Sequence, residues 1–216
     1  MWKILIFLNY INIIDINKLS VVLGGEFMSK RGNLIIYSGP SGVGKGTVRK
    51  ELFELEDLHL KYSISMTTRH PRDGEKEGID YFFVDKETFE KAIANDELLE
   101  YAVFVGNYYG TPKAYVESLL EQGYNVMLEI EVEGAKKVMA KCPEAISIFL
   151  MPPSFEALER RIRGRRTEEE EIVQMRLSKA RLEMNLQDKY QYVVVNDSVE
   201  NAKDKIAEII KKHNER

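Results

Sequence analysis

The residues best suited to chemistry lie in a glycine-rich turn at positions 39–47, which reads Gly-Pro-Ser-Gly-Val-Gly-Lys-Gly-Thr. An apolar run precedes the turn at residues 34–37, and a segment typical of a helix follows it at residues 48–55. In this context backbone N–H groups surround phosphate oxygens, the lysine adds a cation, and a hydroxyl at the helix start reaches Mg²⁺. We predict a nucleoside triphosphate site made of Gly39, Pro40, Ser41, Gly42, Val43, Gly44, Lys45, Gly46 and Thr47.

This turn departs from the generic phosphate-loop pattern at one position. Gly46 follows the lysine where that pattern has Ser or Thr, and Thr47 comes one residue later. An ordinary strand, turn and helix is the alternative interpretation. The Gly46-Thr47 end of the turn is more typical of small-molecule kinases than of switch GTPases.

A second phosphate-binding candidate lies in residues 65–72, where Arg69 and Arg72 stand three positions apart and Pro71 stiffens the link. A planar guanidinium pairs bidentately with phosphate, so two of them beside hydroxyls predict a site for a second substrate. A polar surface turn is the alternative.

Phenols and a hydroxyl that can donate to phosphate follow in the same region. They belong to Tyr81 and to the string at residues 106–111, which includes Tyr108, Tyr109 and Thr111. These tyrosines could equally be half-buried on a small sheet.

Three glutamates are candidates for binding a base or a metal. Glu129 and Glu131 end an apolar strand, so the alternation of a strand predicts that both carboxylates point the same way. Such a carboxylate can orient Mg²⁺ through water or accept from a base. Guanine presents two adjacent donors, which suit a carboxylate such as Glu100, whereas adenine presents an acceptor that a carboxylate repels. Solvated acids at the end of a strand are the alternative.

An arginine-rich segment follows near the C-terminal part of the chain. Residues 160–166 contain five arginines in seven positions, glutamates follow at residues 168–171, and Arg176 lies further along the same predicted helix. Such a run is usually a solvated face or a nucleic-acid patch. Beside a phosphate loop, it also fits a lid whose arginines stabilise phosphoryl transfer when it closes.

The elements that position these residues alternate between apolar runs and helical patterns, which predicts an α/β fold with a parallel sheet between helices. We predict strands at residues 33–38, 60–64, 125–130, 145–150 and 191–195, and helices at 44–56, 113–122, 133–141, 154–163, 168–187 and 198–212. Residues 65–112 break the alternation and are predicted to be an inserted, mostly β module. The charged, helical segment at residues 155–187 is a second insertion. Both insertions follow core strands, and ligands of open α/β sheets bind beyond the carboxyl ends of strands.

Composition limits the classes of function. The 216 residues fit one domain of ordinary size, and a net charge of −4 argues against binding nucleic acid through a basic surface. The single cysteine, Cys142, excludes a disulfide framework and fits a reducing cytoplasm. The three histidines match no metal-ligand spacing, and no apolar run approaches the ~20 residues of a membrane span.

Residues 1–27 are expected to be an N-terminal extension outside the fold. The stretch is rich in Ile, Asn and Leu, and its asparagines interrupt what could otherwise pass for a weak signal peptide. We expect Met28 to be the natural start.

Taken together and in their order, these motifs resemble guanylate kinase in its bacterial single-domain form, from about Gly32 to Lys211. The resemblance implies a P-loop three-layer α/β/α fold with a parallel sheet core, a nucleotide-monophosphate-binding module and a helical lid. The implied boundaries place the whole domain at 28–216, the core at 32–64, 113–154 and 190–212, the module at 65–112, and the lid at 155–189.

The resemblance also implies ATP-dependent phosphorylation of GMP to GDP, with Mg²⁺ as cofactor. Lys45, Arg69, Arg165 and Arg176 would be catalytic, and Asn196 would lie near the adenine of ATP. The implied GMP site is Ser65, Arg69, Arg72, Tyr81, Glu100, Tyr109, Thr111 and Glu131. Thr47, and Glu129 through water, would hold the metal. ATP and GMP are the implied partners of a cytoplasmic monomer or homo-oligomer that binds neither nucleic acid nor membrane.

Two departures and two rival functions stay open at this point. Glu129 and Glu131 stand where the family often has aspartates, which weakens both assignments, and Arg166 stands where a glycine is frequent. One rival is a kinase of another nucleotide or a sugar phosphate on the same scaffold. The other is a non-catalytic module that binds phosphorylated protein, although such modules typically have a degraded phosphate loop.

Overall fold

The computed structural model describes residues 30–164 and 169–215, so the predicted extension at 1–27 and Arg165 lie outside the described part. The strands are β1 (Leu34–Ser38), β2 (Leu60–Tyr62), β3 (Ser65–Thr67), β4 (Tyr81–Phe83), β5 (Leu98–Phe104), β6 (Asn107–Pro112), β7 (Asn125–Glu129), β8 (Ile146–Met151) and β9 (Tyr192–Val195). The helices are α1 (Lys45–Phe53), α2 (Lys86–Ala94), α3 (Lys113–Glu121), α4 (Val132–Lys141), α5 (Phe155–Arg163), α6 (Glu170–Met184) and α7 (Val199–Asn214).

The main sheet has the strand order β2-β7-β1-β8-β9 within the described residues, and every neighbouring pair is parallel. Strand β1 is buried along its whole length and most of β8 is buried, as expected for parallel strands covered on both faces. The register pairs Tyr37 with Glu129, and Met151 with Val195. The carboxyl ends of β1, β7, β8 and β9 therefore meet at one edge, which is where such sheets bind ligands.

Two hydrophobic clusters, one on each face of the sheet, form the three layers. Because side chains alternate along a strand, Ile35 and Tyr37 face one cluster, while Leu34 and Ile36 face the other. The first cluster is completed by α1, α5, α6 and α7, and the second by α3 and α4. The predicted parallel α/β fold is confirmed, and the predicted core strands agree with the structure to within one or two residues.

A second, smaller sheet has the order β4-β3-β6-β5 in the described part of the chain. Its β3 and β4 are parallel, and the pairs β3–β6 and β5–β6 are antiparallel. Helix α2 covers it through Phe89 and Ala92, which pack with Met66 and Leu98. The sequence interpretation did not predict α2, although Asp85 caps it by accepting from the Thr88 N–H, a standard start signal.

Among the described residues, none of the helices is long and apolar enough to cross a membrane.

Candidate active site

The glycine-rich turn connects the end of β1 with the start of α1 at the carboxyl edge of the main sheet. Gly42 and Gly44 have φ values of 84° and 100°, a backbone conformation that other residues adopt only with strain. A Cβ on Gly44 would also lie 2.8 Å from the Asn196 Nδ2. Since the turn leads directly into the N-terminus of α1, its N–H groups and the helix dipole favour an anion.

Lys45 lies inside this turn. Its Nζ donates to the carbonyl oxygens of Gly39 at 2.6 Å and of Pro40 at 3.2 Å. Burial lowers the pKa of Lys45, and the nearby carboxylates of Glu129 and Glu183 oppose that effect. The predicted phosphate cation is therefore held by loop carbonyls that a phosphate oxygen would replace.

Two side chains fix the loop from outside. The Asn196 Nδ2 donates to the Val43 carbonyl at 2.8 Å, and the Arg161 guanidinium donates to the same carbonyl at 3.0 Å and to the Asn196 carbonyl at 2.9 Å. Asn196 is buried, and its Oδ1 has no hydrogen-bond partner among the described residues. Asn196, which was expected near the adenine, thus contacts the loop backbone directly.

Glu75 organises the turn of Arg69 and Arg72, which was predicted to bind the phosphate of the second substrate. Its Oε1 accepts from the Arg69 Nη2 at 2.8 Å, and its Oε2 accepts from the Arg72 backbone N–H at 2.8 Å. The Arg69 Nη1 also donates to the His70 carbonyl at 2.8 Å. Hydrogen bonding from Arg69 lowers the pKa of Glu75, so this carboxyl is ionised at neutral pH. Glu75 therefore ties the two arginines into one turn.

The tyrosines divide between this arginine turn and the core. The Tyr81 and Tyr109 rings pack edge to face at 6.0 Å, and the Arg69 guanidinium lies 5.4 Å from the centre of the Tyr81 ring. Tyr108 instead stacks on Phe89 under α2 at 5.1 Å. Because neighbouring residues of a strand face opposite sides, Tyr109 lies with Arg69 and Tyr108 with the core.

Glu100 and Thr111 meet between β5 and β6. The Thr111 Oγ1 donates to the Glu100 Oε1 at 2.8 Å, and the Glu100 residue is only 8% exposed. Burial raises the pKa of the Glu100 carboxyl, and the hydrogen bond from Thr111 opposes this shift. The register of β3 against β6, which pairs Met66 with Gly110, sets Ser65 level with Thr111. Three of the four predicted base-binding residues, Ser65, Glu100 and Thr111, are thus on adjacent strands of one sheet.

A glycine of α4 makes room for the Glu100 carboxylate. A Cβ at Gly134 would lie 3.0 Å from the Glu100 Oε2. Gly134 is one helical turn after Glu131, so Glu131 stands one turn from the buried carboxylate. The sequence interpretation did not identify Gly134.

The predicted strand alternation between Glu129 and Glu131 is wrong, although both carboxylates lie close enough to Lys45 to affect its pKa. Strand β7 ends at Glu129, and Glu131 precedes α4 as its cap residue, so strand alternation does not extend between them. The Glu129 Oε2 lies 2.8 Å from the Arg49 Nε, although the N–H does not point at the oxygen. The Glu131 side chain is 77% exposed and pairs with Lys179 of α6 at 2.9 Å.

The predicted lid contacts the phosphate loop through α6. The Arg176 Nη2 donates to the Ser41 Oγ at 3.0 Å. Ile162 of α5 also touches the loop, since a Cβ on Gly42 would lie 2.6 Å from its Cγ1. Helices α5 and α6 of the predicted lid thus contact the loop, whereas the predicted catalytic residue Arg165 lies outside the described residues.

Three functional candidates escaped the sequence interpretation. Arg161 could not be separated from its neighbours in the arginine run, because charge alone does not indicate direction. Glu75 follows Arg72 by three residues in a turn at Gly74, which is a recognisable signal. Glu183 stands three residues after buried Ala180 on the apolar face of α6, and an acid on that face is the signal.

Comparisons with known proteins show the family to which this chain is similar. The guanylate kinase family model matches residues 31–213. A guanylate kinase of Bacillus cereus is 57% identical over 182 residues, which are 84% of this chain and 89% of that protein. One of Mycoplasma mycoides subsp. mycoides is 60% identical over 181 residues, and there the matched part is 84% of this chain but 61% of the relative's length.

A crystal structure of guanylate kinase from Anaplasma phagocytophilum superposes with a TM-score of 0.65 at 36% identity, covering 86% of this chain and 87% of that one. The family model spans most of the chain, and the Bacillus relative is matched over most of its own length. The chain belongs to the guanylate kinase family.

Proposed function

We propose that the chain transfers the terminal phosphoryl group of ATP to GMP, giving ADP and GDP. The observation that carries this proposal is the buried Glu100 carboxylate, which Thr111 orients at 2.8 Å in the sheet that also bears Arg69. A carboxylate has two acceptor oxygens, which suit a base with two adjacent hydrogen-bond donors, and guanine is such a base.

In this proposal, Glu100 recognises guanine. Its two oxygens offer about four acceptor positions, so one oxygen can keep the Thr111 hydroxyl while both accept from guanine N1–H and N2–H₂. Adenine would place its N1 lone pair against the carboxylate and leave that buried charge unpaired. Adenine binding is therefore disfavoured relative to guanine binding. Ser65, which the strand register sets level with Thr111, and Glu131, one helical turn before Gly134, complete the proposed base site.

The phosphate of GMP is assigned to Arg69, Arg72, Tyr81 and Tyr109. Glu75 holds the Arg69 guanidinium and the Arg72 backbone N–H in one turn, so the Arg69 side chain is oriented before the substrate arrives. Preorganised charges of this kind lower the cost of assembling the transition state.

The donor ATP is assigned to the loop amides, Lys45 and Asn196, with Arg165 and Arg176 of the lid meeting the transferred group. The acceptor atom is a phosphate oxygen that is already anionic near neutral pH, so no side chain must act as a nucleophile. The barrier lies in bringing two polyanions into line, which the cations and the exclusion of water address.

The residues present fit a Mg²⁺ ion that keeps most of its water and phosphate ligands. Thr47 is exposed in the first turn of α1, and the Glu129 Oε2 is buried without an aligned hydrogen bond. We assign the Thr47 hydroxyl to the ion directly and the Glu129 carboxylate to it through water. Bound there, Mg²⁺ would neutralise charge between the phosphates of ATP.

We divide the domain by role into a core (32–64, 113–154 and 190–212), a GMP-binding module (65–112) and a lid (155–189). A coupled assay of ADP release, run with ATP and each of GMP, AMP, UMP and CMP, tests the proposed reaction. We expect release that depends on GMP and stays near the acceptor-free background with the other three. Release at background with GMP would overturn the proposal, and equal release with AMP would overturn the base assignment.

A further inference from the structure

A buried acid on the lid helix is not used by the reaction described above. Glu183 of α6 is only 9% exposed. It stands seven residues after Arg176 and four after Lys179, and such spacings put all three on one face of a helix. The Ser41 hydroxyl accepts from Arg176, so this face of α6 is the one that lies on the phosphate loop.

Glu183 is surrounded by the cations of the donor site. Its Oε1 lies 3.7 Å from the Lys179 Nζ, and Lys45 is close enough for each side chain to affect the other's pKa. Burial raises the pKa of the Glu183 carboxyl, while Lys179, Lys45 and the Ser41 backbone N–H oppose that rise. The Glu183 Oε2 is buried without a hydrogen-bond partner among the described residues.

The other two acids near Lys45 lie outside the lid helix. Glu129 lies against Arg49, and Glu131 is largely solvent-exposed and paired with Lys179. Glu183 differs because it belongs to the lid helix and is buried against the loop. A carboxylate there repels a triphosphate, and burying it costs free energy. The repulsion opposes ATP binding and the burial cost opposes the packing of α6 on the loop, so the presence of Glu183 points to a compensating role.

We propose that Glu183 is a positioning residue for ATP: its carboxylate holds Lys45, Lys179 and the Ser41 N–H together, so that α6 rests on the phosphate loop with its cations directed at the triphosphate. The inference rests on the proposed function for the identity of the bound nucleotide. Glu183 acts through these neighbours and contacts no substrate.

The Glu183→Gln variant tests this role, because it keeps the shape and removes the charge. Simple electrostatics predicts tighter ATP binding, since a negative charge beside a polyanion has gone. The positioning role predicts the opposite, that ATP binds more weakly to the variant. We expect the Kd for MgATP, measured by titration calorimetry without GMP, to rise about tenfold, which corresponds to about 1.4 kcal/mol. We expect the Kd for GMP to stay within about twofold.

Two further variants make the experiment decisive. Glu171→Gln removes an exposed acid from the same helix and should leave both Kd values unchanged. Lys179→Met alters a half-exposed partner, so it should fold even if Glu183→Gln does not, and it should also weaken MgATP binding. In the double variant the two losses should not add, because one network carries both.

Unchanged or tighter MgATP binding by Glu183→Gln, additive losses in the double variant, or an equal loss for GMP would each overturn the inference. Because calorimetry reads binding without turnover, the outcome does not depend on the reaction. A chain that binds MgATP but phosphorylates no GMP would refute the proposed function and leave the role of Glu183 open to the same measurement.

Discussion

The Glu100→Gln substitution is the sharpest test of the base site. The carboxamide keeps one oxygen but replaces the other with an NH₂ group, so one of the two acceptors for guanine becomes a donor. The Thr111 hydroxyl already donates to the Glu100 Oε1 at 2.8 Å and would compete for the remaining oxygen. Losing a bidentate base contact costs about 1–3 kcal/mol, so kcat/KM for GMP should fall about 5- to 150-fold.

The discriminating assay compares kcat/KM for GMP and AMP in wild type and variant, by coupled ADP release. A carboxamide offers one acceptor and one donor, which suit the N6 amine and N1 of adenine, so the ratio should shift toward AMP. Glu90→Gln, at an exposed position of α2 in the same module, is the matched control and should not change the ratio. An unchanged GMP-to-AMP ratio in Glu100→Gln would refute the assignment of guanine to Glu100.

Stability supplies an independent check on the same variant. Burial raises the pKa of the folded Glu100 carboxyl above its unfolded value, so folded wild type holds the proton more tightly. Wild-type stability therefore decreases as pH rises from the ordinary glutamate value of 4.5 through the raised value, and the cost persists above it. Glu100→Gln lacks this group, so it should be at least as stable as wild type at about pH 7. Thermal denaturation from about pH 4 to about pH 8 measures the difference, and a variant less stable than wild type at neutral pH would contradict the sign.

Three further predictions concern the donor site. Lys45→Met should lower turnover at least about 100-fold with an unchanged circular dichroism spectrum, because it removes a cation from the loop at similar volume; near-normal turnover would contradict its role. Arg161→Met should raise the Kd for MgATP at least about tenfold while exposed Arg160→Met has little effect, since Arg161 donates to the Val43 carbonyl; equal effects of the two variants would refute this. Gly44→Ala should destabilise by about 1–3 kcal/mol in urea denaturation, because φ is 100° and Asn196 is in the way. Gly46→Ala should instead stabilise by about 0.4–1 kcal/mol, because no atom lies within 4 Å of the added Cβ; the same sign for both glycines would show the loop geometry to be wrong.

The glycine-rich turn and the parallel sheet could be predicted because both depend on residues that are close together in the sequence. The phosphate loop is a contiguous string whose glycines and lysine act through their own backbone and side chain, so order along the chain was enough to place it. The parallel sheet followed from apolar runs alternating with helical periodicity. The family resemblance implied a base site with Glu100 and Thr111, and the two adjacent strands that carry them bring the pair to hydrogen-bond distance.

Only the tertiary structure decided which partner each charged side chain takes. Glu129 and Glu131 are two residues apart, yet the end of β7 between them sends one to Arg49 and the other to Lys179. Glu183 and Arg161 reach the phosphate loop from more than a hundred residues away, and no local pattern encodes that distance. Periodicity sets which face of an element is apolar, whereas partner choice depends on where an element ends and how two elements pack. The sequence alone thus predicted a nucleotide-binding α/β domain, and the packing of α5 and α6 on the glycine-rich loop decided which residues hold that loop in place.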